Sequence, residues 1–345
     1  MTNLPGSPPL GLALSSLTGL PPSELAALAA QAERRGFSAL ALTESYNDVL
    51  PLAAAVAGLT RSATIATAIA NIGFRHPALM AMGAAAVDEL SGGRFVLGLG
   101  VGTQWFDRGP QTSLSERPLA VLAEYVRLLR RLWAAGTSGC ADGGAFYRLD
   151  DFRLDFEPLR PSIPIYLAAM GPGMLRLAGR LAEGVFLGLA PLETIPGMID
   201  EVRAAGRGER QVIIAMQVRT CLHEDLDRAR EGARASLPLY LTFPGYARHL
   251  RGLGYGAVVE AAQEAWTAGD RARAAAAIPD ELLDRVTVYG PPERCRAGLE
   301  RFRAAGLDLP IVSIRAVGED WLTTLRRAID VLAPDQDRRA NDQPR

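Results

Sequence analysis

Short apolar runs alternate along the chain with longer Ala- and Leu-rich stretches that carry charge on one side. The short runs cover residues 10–14, 39–42, 64–70, 95–99, 163–169, 184–189, 211–222 and 311–315. Their length and their Ala, Leu and β-branched content predict buried strands. Helical stretches follow at 21–35, 51–59, 77–90, 117–133, 174–182, 192–205, 291–305 and 320–332. Many of them open on proline, which costs nothing at a first helical position because that N–H has no partner anyway. Residues 225–279 read as mostly helical and too long for one barrel helix. Residues 136–161, rich in Gly, Asp and aromatics, read as an insertion with a short hairpin, whose Phe146, Tyr147 and Phe152 cover the site or pack on the rim.

The alternation of strand and helix repeats eight times, which predicts an α/β chain folded as a (β/α)8 TIM barrel with insertions. A doubly wound open sheet is the competitor, and the absence of a midpoint linker favours the barrel. One domain is expected over residues 1–333, with a charged, disordered tail over 334–345.

Composition narrows the chemistry. The 345 residues are 48% hydrophobic and 22% charged, with a net charge of −1, so no global field draws the chain to nucleic acid or membrane. All 37 basic residues are arginine. That excludes a lysine Schiff base or lysine general base. Any anion site must therefore use arginine or backbone amides. The cysteines Cys140, Cys221 and Cys295 are odd in number and far apart, which argues against disulfides or a thiolate metal site. The start of the chain lacks the pattern of a secretion signal, and no apolar run is long enough to span a bilayer. A cytoplasmic enzyme acting on a small molecule is expected.

In a barrel, function sits where strands end at the C-terminal mouth. The exits here are Ser15-Ser16, Thr43 to Asp48, Ala68 to Asn71, Gly100 to Thr103, Ala168 to Gly173, Gly188 to Pro191, the end of the 211–222 run, and Arg315. Few of these are acids, bases or nucleophiles. Such a site suits a cofactor that carries its own chemistry while the protein supplies position. Gly100 and Gly102 either let strand and loop pack closely or let a flat ring approach the backbone. A dinucleotide fingerprint is disfavoured, because Gly98-Leu99-Gly100-Val101-Gly102-Thr103 lacks the last glycine of GxGxxG. Ala168-Ala169-Met170-Gly171-Pro172-Gly173 leads into a helix with no large side chain after Met170 and before Met174, where free N–H groups and the helix dipole favour an anion. His76 opens a helix and reads as a cap or packing residue. Glu44 stands at the rim after the second strand. Trp105, Phe106, Tyr240, Phe243 and Tyr246 are packing residues, some of them walls of an apolar pocket.

Three motifs are specific enough to name a family. They are Arg75-His76-Pro77, Asp88-Glu89-Leu90-Ser91-Gly92-Gly93-Arg94 and Leu97-Gly98-Leu99-Gly100-Val101-Gly102, in order within one βαβ unit. They resemble the luciferase-like flavin and deazaflavin oxidoreductases, and within them the coenzyme F420 branch of the methylenetetrahydromethanopterin reductase type. The resemblance covers residues 10–333 and implies a homodimer that transfers a hydride between F420 and a C=N, C=C or C=O substrate. It implies ring contacts from Ser15, Ser45, Thr67, Ala68, Ile69, Asn71, Gly100, Gly102 and Gly188. It puts the cofactor's phosphate side at Ala168, Ala169, Gly171, Pro172, Gly173 and Met174. It makes Glu44 the proton donor or substrate ligand, and it implies a non-prolyl cis peptide at Ala68–Ile69, in a bulge of the third strand behind the ring. An FMN-dependent monooxygenase on the same fold is the alternative. A barrel that binds a flavin-like ligand without turnover is a third.

Overall fold

The computed structural model describes residues 8–102, 116–206 and 211–334. Its strands are β1 (Gly11–Ser15), β2 (Ala39–Thr43), β3 (Thr64–Thr67), β4 (Ala70–Asn71) and β5 (Phe95–Gly100). After these come β6 (Cys140–Gly143), β7 (Arg148–Phe152), β8 (Ile165–Ala169), β9 (Gly184–Leu187), β10 (Ile213–Leu222), β11 (Thr287–Gly290) and β12 (Leu309–Ile314). The order β1-β2-β3-β5-β8-β9-β10-β12 closes back on β1, with every pairing parallel. This is a closed eight-stranded (β/α)8 barrel, as the alternation predicts.

The two faces of the strands explain its shape. Successive residues point to opposite faces. Leu12, Leu14, Leu40, Leu42, Ile65, Phe95 and Leu97 join the large core shared with the helices. Ala13, Ala39, Ala41, Ala66 and Val96 form a separate inner cluster with Tyr166 and Phe186. The interior is thus filled unevenly, by small residues from β1 to β5 and by two aromatics from β8 and β9, whose rings lie 5.4 Å apart. Glycines make the room. A Cβ on Gly184 would stand 2.5 Å from the Tyr166 ring, and one on Gly98 would stand 2.6 Å from the Phe186 ring.

Two local features depart from the sequence pattern. The run 64–70 is not one strand. It breaks after Thr67 and resumes as β4 alongside the end of β5. The Ala68–Ile69 peptide at the break is cis, as the resemblance implies. Thr67 Oγ1 donates to the Gly98 carbonyl at 2.8 Å, and Ala68 N donates to Leu42 O at 2.7 Å, which fixes the break between β2 and β5. The second feature is β11, which the hydropathy pattern does not give. Its four residues pair with the outer end of the ten-residue β10, beyond the stretch that pairs with β9. The helices between residues 226 and 286 form their own apolar cluster over this side of the mouth.

The hairpin expected within 136–161 is β6–β7. Phe146, Tyr147 and Phe152 pack against the main core rather than line the cavity. His76 caps the helix Pro77–Leu90, its Nδ1 accepting from Ala78 N at 3.2 Å. The loop 103–115, with Trp105 and Phe106, and the tail from 335 lie outside the described residues. Among the described residues no helix is long and apolar enough to cross a membrane.

Candidate functional site

A cavity of about 1190 Å³ opens at the C-terminal mouth of the barrel. The strand exits predicted from sequence converge on it. Ser15, Glu44, Ser45, Ala68, Ile69 and Asn71 line it from β1 to β4, and Gly100 and Gly102 from β5. Ala168, Ala169, Gly171, Pro172, Gly173 and Met174 line it after β8, and Gly188 after β9. Thr67 does not reach it. That side chain is fully buried and spends its hydroxyl on the Gly98 carbonyl, so the ring contact expected of Thr67 is corrected to a support for the neighbouring backbone.

One wall is nearly free of side chains. A Cβ on Gly100 would meet Ile69 at 3.0 Å and Ala168 at 3.3 Å. Gly102 has φ +71°, and a Cβ there would stand 2.1 Å from Asn71 Nδ2. These positions admit no larger residue without displacing their neighbours, and they leave a smooth surface of Ala, Gly and backbone. Beside it the helix Pro172–Leu181 begins, two residues earlier than the sequence pattern predicts. Pro172 has no N–H, and Leu175 N is taken by Gly171 O at 3.0 Å, so Gly173 and Met174 carry the free amides of the first turn. A smooth wall for a planar ring and a helix start for an anionic tail fit a flavin or deazaflavin cofactor.

Glu44 has a different part from the one expected. Arg75 Nη1 donates to its Oε2 at 3.0 Å and Arg75 Nη2 to its Oε1. Asn71 N and Val49 N add further donors at 2.8 and 3.3 Å. With both oxygens engaged by these four donors, the side chain acts as a structural tie, which is not the proton-donor or substrate-ligand part expected of it. Glu44 instead ties together the exit of β2, the strand β4 and the helix Val49–Leu59. Burial pulls the Arg75 pKa down, but Glu44 and then Asp48 outweigh it and raise it overall.

The opposite wall is polar, and apart from Tyr240 and Tyr246, already named among the candidate wall aromatics, its groups were not assigned to the site from sequence. Gln217, Arg219, Tyr240, Tyr246, His249 and Ser313 all line the cavity. Gln217 Nε2 donates across the barrel to Ala68 O at 3.0 Å. Arg219 lies 3.8 Å from the centre of the Tyr240 ring, and Arg315 Nη2 donates to the Tyr240 hydroxyl at 3.3 Å. Tyr240 packs edge-on against both Phe243 and Tyr246, which bears out the expectation that some of these aromatics are pocket walls.

The profile of the family described as luciferase-like monooxygenase matches residues 9–309. The chain belongs to the luciferase-like monooxygenase family. It is 30% identical to a putative coenzyme F420-dependent oxidoreductase of Mycobacterium tuberculosis, over 88% of this chain and 94% of that one. It is 31% identical to a 5,10-methylenetetrahydromethanopterin reductase of Archaeoglobus fulgidus, over 84% and 88%. Among solved structures, the F420-dependent tetrahydromethanopterin reductase of Methanopyrus kandleri superposes with a TM-score of 0.77 at 20% identity, covering 95% of this chain and 97% of that one. An FMN-bound Baeyer-Villiger monooxygenase from Pseudomonas putida shares the fold more distantly, with a TM-score of 0.65 at 17% identity over 95% and 98%. The protein is thus an enzyme of the luciferase-like family, which sets aside the non-catalytic barrel.

One signal for the missed residues of this luciferase-like chain was present in its sequence. Gln217 and Arg219 stand two apart within an apolar strand and so share the face of Ala215, which points inward.

Proposed function

We propose that the enzyme uses coenzyme F420 to transfer a hydride to or from a small substrate with a C=N, C=C or C=O bond. The observation that carries this reading is the pairing, in one cavity, of the smooth Ala68–Ile69–Gly100–Ala168 wall with the free amides of Gly173 and Met174. Relatives named as F420-dependent support the deazaflavin over FMN. The bound cofactor would supply the hydride from a ring carbon. The chain's own residues supply position and a proton. Ala68, Ile69, Gly100 and Ala168 would lie against the ring, with Gly171, Gly173 and Met174 at the anionic side chain. Ser15, Ser45, Asn71 and Gly188 would border the ring.

The proton is assigned to the Tyr240 hydroxyl. Burial raises its pKa, but the Arg219 and Arg315 guanidiniums and the hydrogen bond from Arg315 outweigh burial and lower it overall. A phenol so biased gives up its proton more readily than an ordinary tyrosine. His249 also lines the cavity, but burial lowers its pKa and keeps the imidazole neutral near pH 7.

The test is turnover with reduced F420 against a panel of imines, enones and ketones, with oxygen followed in parallel. The expected result is substrate-dependent oxidation of the deazaflavin with no oxygen consumed. Oxygen consumption with reduced FMN and no reaction with F420 would replace this reading with the FMN-dependent monooxygenase.

A further inference from the structure

Among the described residues, the buried and half-buried arginines differ in how their charge is met. Arg75 is buried but paired with Glu44 and Asp48. Arg160 pairs with Asp88. Arg94 donates to Ser91 O, Ala57 O, Ala63 O and both oxygens of Thr60. Each of these cations is neutralised or fully hydrogen-bonded. Arg219 is neither, although only 5% of it is exposed. Among the described residues, the ionisable groups that act on it most are Arg315, Tyr240, Cys221 and Tyr246, none of them a carboxylate. Its Nε and that of Arg315 are both buried without a hydrogen-bond partner.

The two side chains are brought together by the barrel. Arg219 on β10 sits opposite Ser313 on β12, and Arg315 follows β12 with its N donating to Thr220 O at 2.8 Å. Both line the cavity. A buried cation next to a second cation is costly unless an anion joins them. Burial and the Arg315 charge lower the Arg219 pKa to about 10, so it stays charged at neutral pH. The cost is therefore carried by the folded protein until a counter-charge arrives.

We infer that Arg219 and Arg315 form the recognition site for an oxyanion borne by the substrate, a carboxylate or a phosphate monoester. Guanidinium forks suit both, because each presents paired N–H donors to paired oxygens. The placement separates this site from the cofactor's anionic tail. The free amides of Gly173 and Met174 follow β8, while the arginines belong to β10 and β12. In the closed order β10 stands four strands from β3, which carries the Ala68–Ile69 wall at its end. The oxyanion would hold the substrate across the cavity from that wall, with the Tyr240 hydroxyl beside it. The word substrate rests on the oxidoreductase reading above; the anion site itself does not.

Calorimetric titration of cofactor-free protein with inorganic phosphate and, separately, butyrate tests this, with sodium chloride at matched ionic strength as the control. Saturable binding of at least one anion is expected, weakened at least tenfold by Arg219→Met and by Arg315→Met. Tighter phosphate binding points to a phosphate monoester, and tighter butyrate binding to a carboxylate. Methionine fills similar volume without charge, and a cooperative melt of each variant checks its fold. Binding no stronger than chloride, or binding by both variants as tight as by wild type, overturns the inference. F420 titrated into the same variants should bind within threefold of wild type. An equal loss of F420 affinity would give the arginines to the cofactor and also overturn it. Failure of wild type to bind F420 while phosphate or butyrate still binds would count against the cofactor assignment alone.

Discussion

Glu44→Ala is expected to cost about 3–5 kcal/mol of stability, the range for removing one partner of a buried ion pair. The Glu44 side chain is 2% exposed and that of Arg75 7%. Without the carboxylate, Arg75 keeps only Asp48, which is half-exposed. The amides of Asn71 and Val49 also lose their acceptor. Denaturant unfolding measures the loss directly. Glu44→Gln separates structure from catalysis. A general acid or base is worth roughly 10²–10⁴ in rate. The glutamine variant should lose stability while its kcat per folded molecule falls by less than about tenfold. A fall of a thousandfold in kcat with unchanged stability would restore Glu44 as the proton donor.

Gly98→Ala has the second large effect. Its Cβ would stand 1.8 Å from the Thr67 carbonyl oxygen and 2.6 Å from Phe186. The nearer atom is backbone, so rotation of a side chain cannot relieve the contact. Overpacking a core costs about 1–3 kcal/mol and occasionally more. Here the loss should reach or exceed the upper end, because Thr67 can retreat only by moving Ala68 and Ile69. Cofactor affinity should fall with it. Gly58→Ala is the control. It lies in the helix Val49–Leu59 with nothing within 4 Å of its Cβ. That change should be neutral or stabilising by about 0.5–1 kcal/mol. Similar losses for both variants would contradict the close approach of β5 to the break after Thr67.

Most of the barrel was legible because each of its strands carries a run of small and apolar residues, and proline or glycine marks most helix ends. The run 64–70 read as one strand because Ala68 and Ile69 are apolar and hydropathy does not register a broken ladder. The strand β11 was hidden for the opposite reason. It has four residues and exists by pairing with the overhanging end of β10. The glycine wall and the helix start after β8 were legible because glycine and proline constrain backbone locally. The partners of Glu44 were not, since Arg75 lies thirty-one positions away and sequence gives no distance between them. Tyr240 and His249 reach the cavity only through the folding of the helices after β10 over the mouth. No local periodicity encodes that.

The central claim is that this cavity holds F420 with its anionic side at the start of the helix Pro172–Leu181. A fluorescence titration of the purified protein with F420 and with FMN, repeated on Gly173→Glu, tests it most directly. The added Cβ meets only the flexible end of Leu119, at 2.9 Å, so the variant should fold. Glutamate at a helix start favours the helix itself but repels an anion bound there. Wild type should bind F420 more tightly than FMN, and the variant should lose well over the tenfold that corresponds to about 1.4 kcal/mol. Unchanged F420 affinity in the folded variant, or tighter binding of FMN by wild type, would contradict the account.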